Sequence, residues 1–316
     1  MMLLTDYFRY PKDATWDVAK QCGVEHGVIR LPETADFDLT DRAHWKSVYD
    51  DFRDYGITPV IVEPMPNEVH DHIKAGDALR DASIEKVIKM LPIMDELNIR
   101  CICFNFMAHI GWLRTSNDIL ERGGAKVTGF NVKDFQPAGV KITKQELWDN
   151  YTYFLKAVLP YCEKHGIKLA LHPDDPPRDL GSVERIMTSA DNIDHAINGI
   201  VKSDCLGITM CQATYHIMGE DLEKIIPRFA DQIFFIHFRN TTGNLDRYRE
   251  TFHDNGELDM AKLMEIYHKC GVDAPIRVDH VPTMLGESIA NQGYDAMGRF
   301  FAIGYLKGII QSVCGR

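Results

Sequence analysis

Short apolar runs recur along the chain, and several of them begin directly after a residue suited to end a helix. In Cys22-Gly23-Val24 and Cys270-Gly271-Val272 a glycine precedes a β-branched residue, and the same pattern, with Gly or Asn, occurs at five positions. Gly and Asn tolerate the positive φ of a helix C-terminus, so each position predicts a helix followed by a strand. The eight predicted strands are 2–4, 28–29, 59–62, 99–104, 167–171, 206–210, 233–236 and 275–278.

Between these runs the apolar residues are spaced by three and four positions, as in Trp45, Val48 and Phe52, which predicts amphipathic helices. Alternating strands and helices favour parallel strands joined by crossover helices. Eight such units favour an α/β fold of the (β/α)8 TIM-barrel type over an open doubly wound sheet. No glycine-rich phosphate-binding motif follows a strand, and no linker or low-complexity tract occurs, so we predict a single domain over 1–316.

The interval 106–142 breaks this alternation because it contains no convincing strand. It holds Trp112, Arg114 and the Gly123-Gly124 pair. Connections this long inside a compact domain are usually functional, so we predict an extended loop after the fourth strand that forms a lid or binding loop over the active site. A disordered insertion is the alternative.

Four successive predicted strands end in side chains that can bind a metal ion, namely His172, Cys211, His237 and Asp279. Catalytic residues of TIM barrels lie at the carboxyl ends of the strands, and closure of the barrel brings those ends around one axis. Two imidazoles, a thiolate and a carboxylate suit one divalent transition metal, Mn²⁺, Fe²⁺ or Zn²⁺, and disfavour Mg²⁺. Each residue alone suits a structural role, so the predicted metal site depends on the coincidence of all four.

Further polar residues follow the same strand ends. Glu63 and Asn105 end the third and fourth predicted strands, and Arg239 and His280 closely follow two of the predicted ligands. Arginine binds a carboxylate through two hydrogen bonds and a metal ion polarises oxygens, so this face suits an anionic, hydroxylated substrate. Taken singly, Glu63 and Asn105 suit a structural role equally well.

Composition narrows the range of partners. The 35 Lys and Arg residues against 46 Asp and Glu give a formal net charge of −11, which disfavours nucleic acid and anionic membranes as partners. The N-terminus is not signal-like, no run reaches 18 apolar residues, and the eight cysteines include no C-x-x-C pair. We therefore expect a soluble, cytoplasmic protein with reduced thiols and a small-molecule substrate.

Nine motifs, in order along nearly the whole chain, resemble those of the mannonate dehydratases of hexuronate catabolism. They are Asn105-Phe106-Met107, Trp112-Leu113-Arg114-Thr115, His172-Pro173-Asp174-Asp175-Pro176-Pro177-Arg178, Thr209-Met210-Cys211, His237-Phe238-Arg239, Phe252-His253, Asn255-Gly256-Glu257-Leu258-Asp259-Met260, Asp279-His280 and Asn291-Gln292-Gly293-Tyr294. The resemblance implies a xylose-isomerase-like TIM barrel and a Mn²⁺- or Fe²⁺-dependent hydro-lyase. Such an enzyme converts D-mannonate to 2-dehydro-3-deoxy-D-gluconate in glucuronate catabolism, and the family tends to form homodimers.

The resemblance also implies roles for individual residues. The metal ligands of the family fall on the four strand-end residues above, and its proton-transfer positions fall on His280 and Tyr294. Loss of water across C2–C3 needs a base for the proton and an acid for the departing hydroxyl, and the division of these roles stays open. The residues that we predict to contact the substrate are Arg239, Asn105, Trp112, Arg114 and Asp174.

Two departures from the family pattern put the substrate in question. The usual D-H-G-H is here Asp279-His280-Val281-Pro282, and Asp295 stands where Ser commonly follows the tyrosine. A dehydratase of a related aldonate is therefore an alternative. A sugar isomerase or epimerase on the same barrel, and a non-catalytic metal or sugar-acid binding protein, are two more.

Overall fold

Eight parallel strands form a closed barrel in the computed structural model, which describes residues 2–137, 139–288 and 291–315. Four more strands form a separate antiparallel sheet. The strands are β1 Leu3–Phe8, β2 His26–Ile29, β3 Thr58–Val62, β4 Cys101–Phe104, β5 Ser116–Leu120, β6 Lys126–Asn131, β7 Lys168–Leu171, β8 Leu206–Cys211, β9 Ile233–Phe238, β10 Thr241–Asn244, β11 Arg247–Glu250 and β12 Pro275–Val278.

The barrel is closed in the order β1-β2-β3-β4-β7-β8-β9-β12, so its strands follow one another in chain order. All eight predicted strands are confirmed, and the first extends further than predicted, to Phe8. The predicted (β/α)8 barrel is thus the observed fold. The carboxyl ends of all eight strands lie at one rim of the barrel, and the four predicted metal ligands lie at this rim.

Helices cover the outside of the barrel. They are α1 Ala14–Gln21, α2 Arg42–Asp54, α3 Asn67–Ala75, α4 Arg80–Glu96, α5 Lys144–His165, α6 Ala190–Asp194, α7 Gln212–Ile217, α8 Leu222–Phe229, α9 Met260–Lys269 and α10 Ala296–Cys314, with a π-helical turn at His195–Gly199 and 3₁₀ turns at Arg122–Gly124, Val132–Asp134 and Ala230–Gln232. The spacing of Trp45, Val48 and Phe52 gives α2 its apolar face, and all three are buried against the barrel.

The five predicted helix ends have the backbone conformation that the sequence indicated. Gly23, Gly56, Asn98, Gly166 and Gly271 have φ between 56° and 80°, the left-handed region. In this conformation the chain reverses at the end of a helix and enters the next strand within a few residues. Short junctions of this kind leave little freedom in how helix and strand pack together.

The expectation of no strand within 106–142 is wrong. This interval contains β5 and β6, which pair with β10 and β11 in the antiparallel order β10-β11-β6-β5. We call these four strands the small sheet. Local sequence conceals it because β5, with the sequence SNDIL, is polar and largely exposed, and because the other partner of β6, β11, lies more than 100 residues later in the chain. The small sheet joins the loop after β12 through the pair Lys126 and Thr283.

Two further expectations concern membranes and thiols. Within the described residues no helix has the length and hydrophobicity needed to cross a membrane. All eight cysteines are free, which agrees with the prediction of reduced thiols.

Candidate metal centre and active site

Three of the four predicted metal ligands converge at the carboxyl rim of the barrel. His172 directly follows β7, Cys211 ends β8, and His237 lies in β9 as the register partner of Cys211. One ligand atom from each lies within 4.8 Å of the other two. Asp279 directly follows β12, and its Oδ2 is 3.6 Å from Nδ1 of His237. The structure therefore brings all four residues to one place.

The donor atoms of this cluster fit a transition metal. Nδ1 of His172 lies 2.6 Å from the carbonyl oxygen of Pro173, to which it donates, so Nε2 is left with a lone pair. Burial lowers the pKa of His172, which keeps the ring neutral and able to bind a metal. Cys211 is fully buried, and its Sγ lies 3.1 Å from Oγ1 of Thr214. A buried thiol among two imidazoles and a carboxylate matches the preferences of Mn²⁺, Fe²⁺ or Zn²⁺ better than those of Mg²⁺.

Arg277 links two carboxylates beside this cluster. Its Nε and Nη2 donate to Glu63 at 2.9 and 3.0 Å, and its Nη1 donates to Oδ1 of Asp279 at 2.8 Å. Burial alone raises the pKa of Glu63, but the charges of Arg277 and His237 outweigh it and lower that pKa below its usual range. Both carboxylates are therefore ionised at neutral pH.

The cluster opens into a cavity of about 510 Å³. His280 and Tyr294 lie in its wall with their rings 5.4 Å apart, and Trp112 lies 4.9 Å from His280 on the other side. Asn105 also lines the cavity. Burial raises the pKa of Tyr294, so its hydroxyl stays protonated at neutral pH. Three of the four predicted metal ligands, His172, His237 and Asp279, thus line the same cavity as the predicted proton-transfer residues.

The predicted substrate contacts divide into two groups. Asn105 and Trp112 line the cavity, whereas Arg239, Arg114 and Asp174 lie behind its wall. Asp174 is fully buried, and its Oδ2 accepts hydrogen bonds from the backbone N–H groups of Ile186 and Met187. None of these three side chains lines the cavity; each bonds to neighbouring protein groups, although Oδ1 of Asp174 and Nε of Arg114 have no hydrogen-bond partner among the described residues.

Arg239 and Arg114 belong to a buried network of charges. Arg239 donates to Asp175 at 2.8 Å and to Glu250 at 2.6 Å, and Arg114 pairs with the same two carboxylates at 2.7 and 2.5 Å. Burial favours the neutral acid, but the two guanidinium groups lower the pKa of Glu250 to about 2. Nε of Arg239 also lies 3.2 Å from Oδ2 of Asp279, so buried carboxylates match the charges of both guanidinium groups.

Sequence analysis missed Glu250, which touches a predicted catalytic residue. Its Oε1 lies 3.1 Å from Nδ1 of His280, and Nη1 of Arg239 lies 2.5 Å from the same nitrogen. Glu250 ends β11 of the small sheet rather than a barrel strand, so an inspection of barrel strand ends does not find it. Three cations of the cavity lining, Arg9, Arg30 and Lys74, were missed as well, since no motif marks them.

Comparison with known proteins places this geometry in a family. A sequence model of the D-mannonate dehydratase (UxuA) family matches residues 7–138 and 137–315. The chain belongs to the D-mannonate dehydratase family. Among the relatives of this family, the chain is 31% identical to mannonate dehydratase 2 of Halalkalibacterium halodurans over 292 residues, which cover 82% of this chain and 84% of the relative. It is 31% identical to the mannonate dehydratase of Oceanobacillus iheyensis over 296 residues, with 82% of each chain covered.

Solved structures agree with the D-mannonate dehydratase assignment. The crystal structure of mannonate dehydratase from Streptococcus suis serotype 2 superimposes with a TM-score of 0.90 at 25% identity, covering 99% of this chain and 94% of that one. A xylose isomerase domain protein from Planctomyces limnophilus has a TM-score of 0.66 at 11% identity, covering 100% and 99%, and shows the fold alone. The barrel is thus xylose-isomerase-like, and family membership makes the chain an enzyme of the hydro-lyase class.

Proposed function

We propose that the protein is a metal-dependent D-mannonate dehydratase, which converts D-mannonate to 2-dehydro-3-deoxy-D-gluconate and water in glucuronate catabolism. The observation that carries the proposal is that one cavity is lined by His172 and His237 of the His-Cys-His cluster and by His280 and Tyr294. Elimination of water needs a stabilised carbanion, a base and an acid, and this cavity holds side chains suited to each task.

The residues that would hold the ion are His172, Cys211, His237 and Asp279. The resemblance to the family favours Mn²⁺ or Fe²⁺, and the thiolate and imidazole donors also suit Zn²⁺. The thiolate and the carboxylate carry one negative charge each, which balances a divalent cation. When bound, the ion polarises substrate oxygens and stabilises the negative charge that develops next to the substrate carboxylate. The protein's own residues perform the remaining tasks.

His280 is the proposed base and Tyr294 the proposed acid. Nδ1 of His280 faces Glu250 and Arg239, so Nε2 is the nitrogen left to take the C2 proton. The negative charge of Glu250, which accepts the Nδ1–H hydrogen bond, stabilises the imidazolium that forms. The raised pKa of Tyr294 keeps its proton in place until the C3 hydroxyl departs, which suits a donor rather than a base.

Attraction of an anionic substrate to a protein of net charge −11 must be local. Arg9, Arg30 and Lys74 supply positive charge along the cavity wall, and Lys74 is buried there beside Asp71, with 2.8 Å between Nζ and Oδ1. These cations take the binding role that sequence analysis gave to Arg239 and Arg114. Together with Asn105 and Trp112 they form the proposed substrate-binding surface.

The experiment is to load the purified protein with Mn²⁺, add D-mannonate, and assay the 2-keto-3-deoxy acid alongside a panel of other aldonates. We expect turnover of D-mannonate; turnover of a different aldonate alone would move the proposal to that substrate. Absence of product from every aldonate would overturn it. Conversion of a neutral ketose without loss of water would instead favour a sugar isomerase or epimerase.

A cytoplasmic homodimer is part of the same proposal. The resemblance to the family implies dimers, and Met297 and Phe300 on α10 are exposed apolar side chains suited to an interface. Size-exclusion chromatography with light scattering tests the oligomeric state, and a monomer at micromolar concentration would contradict it.

A further inference from the structure

His237 lies between two carboxylates, one at each ring nitrogen. Its Nδ1 is 3.6 Å from Oδ2 of Asp279, and its Nε2 is 2.9 Å from Oε1 of Glu63. Glu63 directly follows β3, so it approaches the ring from a different part of the barrel rim. Neither ring nitrogen has a partner in hydrogen-bond geometry among the described residues. The Glu63 oxygen is nevertheless the nearer of the two anionic acceptors, so it favours the tautomer of a neutral imidazole that carries the N–H on Nε2.

Two clusters of metal-ligating side chains share this histidine. One is the cluster of His172, Cys211 and His237, and the other consists of Glu63, Cys103 and His237. The second cluster suits an ion poorly, because both oxygens of Glu63 already accept hydrogen bonds from Arg277. The thiol of Cys103 also donates to Glu63, with 3.6 Å between Sγ and Oε1, and is therefore protonated.

We infer that Glu63 is a positioning residue: its carboxylate, 2.9 Å from Nε2 of His237, keeps the ring proton on Nε2 and so leaves the Nδ1 lone pair on the side of the proposed ligand Asp279. A carboxylate behind a histidine ligand fixes the tautomer and the ring orientation, and it makes the ligand more basic. Arg277 extends the arrangement, because one guanidinium holds both Glu63 and the ligand Asp279. The inference rests on the metal-dependent function proposed above, since it assumes an ion beside Nδ1.

The first experiment measures metal affinity without substrate. Chelator-stripped wild-type protein and the Glu63→Gln variant are titrated with Mn²⁺, and free Mn²⁺ is followed by electron paramagnetic resonance. We expect Glu63→Gln to bind Mn²⁺ about 10- to 100-fold more weakly, the usual cost of losing such a carboxylate. Equal affinity in the two proteins would overturn the inference.

Asp6→Asn is the matched control, because Asp6 forms another buried ion pair, with Arg299 at 2.6 Å, and touches none of the proposed ligands. It should lower the thermal stability of the metal-free protein and leave Mn²⁺ affinity unchanged. A loss of Mn²⁺ affinity in Asp6→Asn equal to that in Glu63→Gln would reduce Glu63 to a purely structural role and contradict the inference.

The second experiment separates the two clusters. Co²⁺ bound to a thiolate gives a charge-transfer absorption in the near ultraviolet. We expect this band in the wild type and in Cys103→Ala, and its loss in Cys211→Ala. Loss of the band in Cys103→Ala alone would place the ion at the second cluster, make Glu63 a direct ligand, and overturn the inference.

The third experiment needs no variant, which covers the case in which Glu63→Gln fails to fold. In ¹⁵N-histidine-labelled wild-type protein loaded with Zn²⁺, the His237 ring should keep its proton on Nε2. A proton on Nδ1 would be incompatible with the inference. All three measurements omit substrate, so they remain decisive even if D-mannonate turns out not to be turned over.

Discussion

Oε1 of Glu250 lies 3.1 Å from Nδ1 of His280, although Glu250 ends β11 of the small sheet and His280 follows the barrel strand β12. Arg239 can only donate to that nitrogen, whereas Glu250 can only accept from it at neutral pH. The two contacts thus favour opposite tautomers, and the shorter one, 2.5 Å from Nη1 of Arg239, favours a proton on Nε2. The proposed role of His280 as a base requires the tautomer that Glu250 favours, with the proton on Nδ1 and a free lone pair on Nε2.

Glu250→Gln should lower kcat by about 100-fold, since removing this charge leaves Arg239 to select the unreactive tautomer. KM should change little, because Glu250 does not line the cavity. Steady-state kinetics with D-mannonate checks both, after circular dichroism has verified folding. Glu121→Gln is the control, since Glu121 pairs with Arg249 of the small sheet at 2.6 Å and does not touch His280. Similar losses of kcat in both variants would refute a specific role for Glu250.

Tyr294→Phe removes the proposed proton donor and keeps the ring that packs against His280. We expect kcat to fall by about 10²- to 10⁴-fold, the usual contribution of a general acid. Mn²⁺ affinity should stay the same, because Tyr294 is not among the proposed ligands. Tyr151→Phe is a suitable control, since Tyr151 is buried and does not line the cavity. Undiminished kcat in Tyr294→Phe would assign the acid to another group.

Lys74→Met should raise KM about tenfold and change kcat less, because a buried cation of the cavity wall is lost. A tenfold change corresponds to about 1.4 kcal/mol, within reach of one charged contact. The comparison is with Lys86→Met, an exposed lysine of α4 that lies outside the cavity lining. If both variants keep the wild-type KM, the anionic group of the substrate lies elsewhere in the cavity.

His70 should make stability depend on pH. It is fully buried, no hydrogen-bond partner of either ring nitrogen is found among the described residues, and burial followed by the charge of Lys74 lowers its pKa well below 6.5. Below pH 6.5, His70 is protonated in the unfolded chain but stays neutral in the folded protein. The free energy of unfolding therefore falls as pH drops, by about 1.4 kcal/mol per pH unit for this group.

His70→Leu should remove this contribution, and urea unfolding between pH 7 and pH 5 measures it as a difference from the wild type. Other histidines and the buried carboxylates stay the same in both proteins and cancel in that difference. Ile73→Val, on the same helix, should lower stability by a constant amount at every pH. A wild-type slope in His70→Leu would show that His70 is protonated or partnered in the folded protein.

Much of the barrel was predictable because its signals are local. A helix-ending residue such as Asn98, with φ of 56°, specifies a junction without reference to distant residues. The positions of His172 and Cys211 followed from the rule that functional residues of a barrel lie at strand ends. Neither step required knowledge of the tertiary structure.

The buried ion pairs, the small sheet and the cavity lining were not predictable, because they depend on which residues from distant parts of the chain come into contact. Arg239 lies at the expected rim, but it forms ion pairs with Asp175 and Glu250. No sequence pattern indicates that pairing. The small sheet escaped detection because β5 is too polar to indicate a strand and because β6 pairs on its other side with β11, far along the chain. Lys74 lines the cavity but belongs to helix α3, so an inspection of strand ends does not find it.

The small sheet constrains how this chain can change. Its two hairpins, 116–131 and 241–250, come from distant parts of the sequence but pair side by side, with Phe130 opposite Tyr248. Gly129 leaves no room for a side chain there, since an added Cβ would lie 2.9 Å from the carbonyl oxygen of Tyr248. A chimera that exchanges one hairpin with a relative will therefore lose the orientation of Glu250 unless the second hairpin is exchanged with it.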